Sequence, residues 1–317
     1  MIVARSLAEI SRDSRSVVTV GTFDGVHRGH QQILRRTAEL AGSSGGRSVV
    51  ITFNPHPKSV LQPAGGTPIR ILTTIQEREL LLRTAGIDVM VVLPFTREFS
   101  RLSAEEFIKL VLVDGVGLHH IVVGHDHHFG KGREGGVTEL VRQGAVLGFS
   151  IERIPAFTLD GVTVSSSSIR AALESGDVAL ANRQLGYEYM FAGKVIEGDR
   201  RGAGIGFPTA NLEPLAADKM LPGRGVYVVA AECGSLRRYG MMNIGVRPTV
   251  SEGVKETREV HLFDFQGDLY GQEMIVRIMA HLREERRFPS LQDLVQQLGR
   301  DREASLRVIT QLEQQSS

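Results

Sequence analysis

SVVTVGTFDGVHRGH, residues 16–30, reads as a short strand that runs into a glycine-bearing turn and then into a helix beginning near Gly29. Val17 to Val20 is too continuously apolar for a sheet with one wet face, so it predicts a strand covered on both sides. Gly21 and Gly25 let backbone approach a ligand, and the helix N-terminus offers free N–H groups and partial positive charge to an anion. His27 and His30, three apart at that helix start, can face one phosphate and donate to charge that builds up during displacement at phosphorus. The spacing alone also suits a polar helix face or a metal pair; position in the chain has to decide between them.

The same alternation continues outward from that turn. Val49 to Phe53, Val89 to Leu93, Ile121 to Val123 and Ser150 to Ile154 repeat the strand signature. Ile33, Leu34, Thr37, Leu40 and Ala41 form a helical stripe, and Thr74 with Glu77, then Ser103 with Glu106, have the spacing of capping boxes. Strand and helix in alternation predict right-handed crossovers and a doubly wound parallel α/β sheet, with ligands bound beyond the carboxyl ends of its strands.

A Ser-rich cap at 165–168 and two short helices ending near Gly186 close this half, and the pattern then changes. Strands follow one another at 189–196, 226–232, 238–245, 259–263 and 272–282, without intervening helices. Met274, Val276, Ile278, Ala280 and Leu282 alternate with residues such as Arg277 and His281, the period of a strand with one wet face. This half predicts a small antiparallel β-barrel. Leu291, Leu294, Leu298, Leu306 and Ile309 lie at helical spacing within 290–312, which predicts a C-terminal helix packed on the barrel. Two domains result, 1–185 and 186–317.

Composition limits the partners. The 37 basic and 36 acidic residues nearly cancel and form no tail, which argues against nucleic acid or an anionic membrane surface, so any anion site must be local. No segment approaches the roughly 20 apolar residues of a membrane helix, and no apolar signal core opens the chain. Cys233 stands alone, so it forms no intrachain disulfide, and its setting in Val228-Val229-Ala230-Ala231-Glu232 reads as a buried strand position. These features lead us to expect a soluble cytoplasmic protein; homo-oligomerisation stays open.

GTFDGVHRGH after a first strand resembles the HxGH signature of nucleotidylyltransferases, and in full resembles the FAD synthetase branch of prokaryotic riboflavin-processing enzymes. The resemblance implies that His27 and His30 hold ATP phosphates, with Gly21, Phe23 and Gly25 also at the nucleotide, while the FMN phosphate attacks the α-phosphorus. TFNPHP, residues 52–57, would set flavin against Pro55 and Pro57, although it also suits an ordinary strand-ending turn. VSSSSIR, residues 164–170, looks like a second phosphate motif, with Ser166 and Ser167 at a helix N-cap and Arg170 as a bidentate phosphate contact. VGHDHHFG, residues 123–130, departs from the family: Asp126 still matches as a flavin contact, but His127 and His128 follow it where the family has an aromatic residue. Stacking of His127 on flavin is favoured over a His125–His127 metal pair.

GDRRGAGIGFPTANL, residues 198–212, is a glycine-rich loop before a Pro-Thr-x-Asn turn, and such a loop alone serves plain turns as often as phosphates. Its GFPTAN continuation resembles the riboflavin kinase signature. That likeness implies that Gly198, Gly204 and Gly206 cover ATP, that Thr209 and Asn211 hold phosphate oxygens and Mg²⁺, and that Glu259 accepts the proton of the attacking ribityl hydroxyl. MNIGVRPTV (242–250) and EVHLFDFQGDLYG (259–271) match in order and would bring Asn243 and Arg247 beside the flavin. Ala203 stands where the family often has Arg, with Arg200 and Arg201 as candidate substitutes. The function implied is ATP-dependent phosphorylation of riboflavin to FMN followed by adenylylation of FMN to FAD. The alternatives are a chain with one working site and a flavin-binding regulator.

Overall fold

A computed structural model describes residues 1–63, 65–198, 202–248 and 254–316. They form two compact units, Met1–Ser166 and Ser167–Ser317.

The first unit contains strands β1 (Ile2–Ala4), β2 (Ser16–Val20), β3 (Ser48–Asn54), β4 (Val89–Pro94), β5 (Leu118–Gly124) and β6 (Ser150–Ile154), all parallel and ordered β1-β4-β3-β2-β5-β6. Helices α1 (Arg28–Ser44), α2 (Pro57–Leu61), α3 (Ile75–Thr84), α4 (Ala104–Glu106) and α5 (Val137–Leu147) lie between strands, and α4 runs on into a π-helical stretch, Phe107–Val116. The chain builds from β2 through β3 to β4 on one side and then passes to β5 and β6 on the other. The order therefore reverses at β2, and the turn after β2 opens at the switch point, where open sheets of this kind bind ligands.

Alternation along the strands explains the double cover. Val18, Val20, Ile51, Val91 and Val123 pack with Phe107, Ile108 and Leu112 on one face, while Val50, Met90 and Val92 pack with Leu34 and Leu82 on the other. Both anticipated capping boxes form: Thr74 and Ser103 accept from the backbone of Glu77 and Glu106, whose carboxylates reach back to the cap N–H groups. The edge strand β1 was not read from the sequence, because three residues carry too little periodicity. A two-stranded hairpin, β7 (Thr158–Leu159) with β8 (Val162–Thr163), leads out of the unit.

In the second unit, α6 (Ser166–Glu174) and α7 (Val178–Leu185) precede a closed barrel. Its strands are β9 (Tyr189–Ile196), β10 (Ala210–Pro214), β11 (Gly225–Cys233), β12 (Leu236–Pro248), β13 (Val254–Leu262) and β14 (Glu273–Arg283). The two short helices, assigned to the first domain by sequence, make their contacts with the barrel unit: Asn182 Nδ2 donates to the carbonyl of Ile278 (2.9 Å), and Gly223 N–H donates to that of Leu173 (2.8 Å).

Three details differ from the sequence reading. The expected Pro-Thr-x-Asn turn gives way at Ala210 to β10, whose pairing with β9 and β13 closes the barrel and outweighs the local turn preference. Glu259 accordingly lies inside β13 rather than at a strand start. The alternation of β14 holds for Met274, Val276 and Ile278 but slips at Met279, which is buried while Ala280 is not, because the β11–β14 register shifts between Val228 and Val229.

Helix α8 (Leu291–Ser316) packs Ile309, with Leu298 and Leu312, against Val226, Val228 and Met241; Leu291 and Leu306 stay exposed. Arg283 of β14 grips Asp301 of α8 through Nε and Nη2 at 3.0 and 2.7 Å, and Asp301 is buried. Asp301→Ala should cost about 3 kcal/mol in urea denaturation, because it leaves a largely buried guanidinium without its carboxylate, and Arg283→Met with Asp301→Leu should recover most of that loss.

Candidate active sites

The turn after β2 has an unusual backbone. Phe23, Gly25 and Val26 all have positive φ (47°, 87° and 37°), and the two non-glycine residues among them are strained there. This path brings His27 to the N-cap of α1, where its Nδ1 accepts from the backbone N–H of His30 at 3.3 Å. An accepting Nδ1 leaves the proton of neutral His27 on Nε2, which is then the donor. The two imidazoles stack with centroids 3.7 Å apart.

Burial pushes the His27 imidazole down to about 4, against the opposing pull of Asp24 and Asp126. His30 is held well below the usual range, first by burial and then by His27 and Arg78. Both are neutral at pH 7. His30 Nδ1 is buried without a hydrogen-bond partner among the described residues, as a ligand-facing nitrogen would be.

Gly21 leaves β2 with its N–H on the carbonyl of Ile51 (3.0 Å). Phe23 is almost fully buried, with its ring edge against His30, so its backbone rather than its ring is left to meet a nucleotide. Ser166 and Ser167 fall in the first turn of α6 rather than capping it, because Ser166 Oγ is turned to the carbonyl of Asp24 (2.8 Å). Ser167 and Arg170 belong by contact to the second unit.

Beyond the same strand ends, Phe53, Phe95, Phe99, Phe107 and Phe129 form a chain of ring contacts with centroids 5.5 to 6.1 Å apart. His127 extends it, 5.5 Å from Phe129 and tilted by 30°. Burial lowers His127 to about 4. Pro55 follows a cis peptide bond, Pro57 opens α2, and Asp126 is exposed beside His125.

The barrel carries the second cluster. Thr209 Oγ1 donates to Glu259 Oε2 at 3.5 Å, and Asn211 and Asn243 face Glu259 from the strands on either side. A cavity of about 380 Å³ opens here, lined by Gly198, Thr209, Asn211, Val260, Phe265 and Tyr270 among others. A Cβ on Gly202 would overlap the backbone carbonyl of Phe207, so glycine is required there, and one on Gly198 would force the Asn211 amide to move. Gly204 and Gly206 lie in and just after a single 3₁₀ turn, Ala203–Ile205. Arg247 is placed as a backbone position in β12 only; Arg200, Arg201, Thr249 and Val250 lie outside the described residues.

Comparison with known proteins matches both halves. Residues 9–168 fit the FAD synthetase family and residues 185–309 the riboflavin kinase family. A bifunctional riboflavin kinase/FMN adenylyltransferase of Pseudomonas fluorescens is 39% identical over 302 residues, covering 95% of this chain and 96% of its own. The chain belongs to the bifunctional riboflavin kinase/FMN adenylyltransferase family. An Escherichia coli (strain K12) member is 38% identical over 286 residues, 90% of each chain. A crystal structure described as a macrolide-efflux protein from Streptococcus pneumoniae superposes with a TM-score of 0.87 at 32% identity, covering 96% of this chain and 98% of its own. Among the described residues here, no helix is long and apolar enough to cross a membrane.

The candidate site residues that sequence reasoning missed are Phe53, Phe95 and Phe99, from the ring chain, and Asp24, from the turn after β2. Phe53 sits inside a stretch already singled out, TFNPHP, and its place at a strand end was the available signal. Phe95 and Phe99 offered none beyond aromatic character near the end of β4.

The lowered histidines imply a pH dependence of stability. An unfolded imidazole titrates near about 6.5 and the folded His127 near 4, so the unfolded chain binds the extra proton between these values and stability falls as pH drops through that window. His127→Phe should reduce the stability lost between pH 7 and pH 5 in urea denaturation by on the order of 1–2 kcal/mol. Equal losses in the two proteins would show that His127 is not a buried neutral group.

Proposed function

We propose that the protein phosphorylates riboflavin to FMN at the barrel cluster and adenylylates FMN to FAD at the HxGH turn, with ATP as co-substrate at both. The kinase half is taken as 186–317 and the adenylylating half as 1–185. The strongest support is the hydrogen bond from Thr209 to Glu259, with Asn211 in register beside it, next to a cavity whose wall Gly198, Thr209 and Asn211 form; a protein that merely held flavin would have no use for a carboxylate so placed.

In the first reaction the ribityl 5′-hydroxyl attacks the γ-phosphorus of ATP, Glu259 takes its proton, and ADP leaves. Gly198, Gly204 and Gly206 let backbone cover the nucleotide, while Asn243 and Arg247 border the flavin. Thr209 and Asn211 offer side-chain oxygens close to a carboxylate, a hard donor set that fits Mg²⁺, an ion that keeps several waters and leans on substrate phosphates. When bound there, Mg²⁺ would offset charge on the transferring phosphate.

In the second reaction an FMN phosphate oxygen attacks the α-phosphorus of ATP and pyrophosphate leaves. His27 Nε2–H and the α1 N-terminus donate to the phosphate oxygens as charge builds, joined by His30 and Ser166, while for Ser167 and Arg170 the resemblance of the second motif implies a phosphate-binding role. No protein nucleophile is needed. The ring chain from Phe53 to His127 supplies an apolar wall for the isoalloxazine, with Pro55, Pro57 and Asp126 at its border. Small soluble substrates and a nearly balanced chain charge of 37 basic and 36 acidic residues fit a cytoplasmic enzyme that needs neither nucleic acid nor membrane.

Glu259→Ala should abolish FMN formation from riboflavin and leave FAD formation from supplied FMN unchanged, and His30→Ala should do the reverse. Loss of both activities in both folded variants would overturn the two-site assignment.

A further inference from the structure

The strained turn between Phe23 and Val26 needs an external hold, because a β-branched residue at positive φ is disfavoured by about 1–2 kcal/mol and persists only where its surroundings fix it. That hold comes largely from a segment outside every motif read from the sequence. Asp24 is fully buried, and its Oδ1 accepts from Leu72 N–H (2.8 Å), Thr73 N–H (3.0 Å) and Thr73 Oγ1 (3.4 Å). Thr73 Oγ1 in turn accepts from the N–H of Gly25 at 3.0 Å, so one hydroxyl ties both residues of the Asp-Gly pair.

The other side of Thr73 is held as well. Arg78, buried on α3, donates through Nη2 to the Thr73 carbonyl (3.2 Å) and through Nη1 to Thr52 Oγ1 (2.8 Å), and Thr52 Oγ1 donates to the carbonyl of Thr22 (3.1 Å). Gln31 Nε2 donates to the carbonyl of Val26 (2.9 Å). Three carbonyls of the turn, those of Thr22, Asp24 and Val26, therefore each receive a side-chain donor, while its central amide is bound to Thr73.

We propose that Asp24, acting through Thr73, is a positioning residue for adenylyl transfer: it fixes the backbone path that sets His27 on the α1 N-cap and stacks it on His30. The inference rests on the assignment of adenylyl transfer to this turn. Asp24 touches neither substrate nor reacting atoms in this role. Its effect runs through geometry, and a displacement of about 1 Å in such donors costs on the order of a hundredfold in rate.

The test is steady-state FAD formation from FMN, ATP and Mg²⁺ by the full chain, with riboflavin phosphorylation measured on the same samples. Asp24→Ala should lower kcat for FAD formation by at least about tenfold and raise KM for ATP, with KM for FMN and the riboflavin kinase rate within about twofold of wild type. Asp24→Asn, which keeps an oxygen at Oδ1, should restore most of the loss. Thr73→Val should act in the same direction by a smaller factor, and it decides the matter if Asp24→Ala fails to fold. Unchanged kcat in folded Asp24→Ala, or in Thr73→Val where it must stand in, would overturn the proposal; so would an Asn variant as poor as Ala. A wild-type protein that makes no FAD from FMN would instead remove the reading on which it rests.

Discussion

Backbone that passes close to other backbone or to a fixed polar side chain leaves no room for a Cβ, and both halves of this chain carry a turn shaped by that constraint. In the parallel sheet the glycine-bearing turn lies where the strand order reverses: β2 ends, Gly21 donates its N–H to the carbonyl of Ile51, and α1 begins with His27 as its N-cap. In the barrel the glycine positions are Gly198 and Gly202, where a Cβ would run into the Asn211 amide and the Phe207 carbonyl. The doubly wound sheet and the closed barrel share no architecture, yet each presents a glycine-bordered turn beside polar groups fixed by the strands around it.

Much of this was legible because the governing signals are local. Strand and helix periods, the two capping boxes and the shift at residue 189 from alternating elements to consecutive strands all depend on near neighbours in sequence. What escaped depends on distant partners. β10 is a strand because β9 and β13 lie on either side of it, and Asp24 is buried because Leu72 and Thr73, 48 and 49 residues away, supply its donors. The slip at Met279 follows from the register of β11 and could not be seen in β14 alone. Phe95 and Phe99 join the ring chain only once β3 and β4 are paired.

Both departures from the family pattern leave the neighbouring geometry in place. His127 keeps a flat, neutral ring on Phe129, because burial prevents it from carrying charge near neutral pH, so an aromatic surface survives the substitution. Ala203 removes a cation from the kinase loop but leaves Thr209 and Asn211 on the cavity wall, with Glu259 hydrogen-bonded to Thr209. Paired, neutral histidines in one unit and a Thr209–Glu259 pair in the other are the separate groups that the two proposed phosphorus transfers would use.

The central claim is that one chain performs two successive transfers, and chromatography of the flavins formed from riboflavin, ATP and Mg²⁺, beside a reaction started from FMN, tests it most directly. The account predicts FMN and then FAD in the first reaction and FAD in the second. Riboflavin and FMN recovered unchanged would contradict it and leave a flavin binder in place of an enzyme.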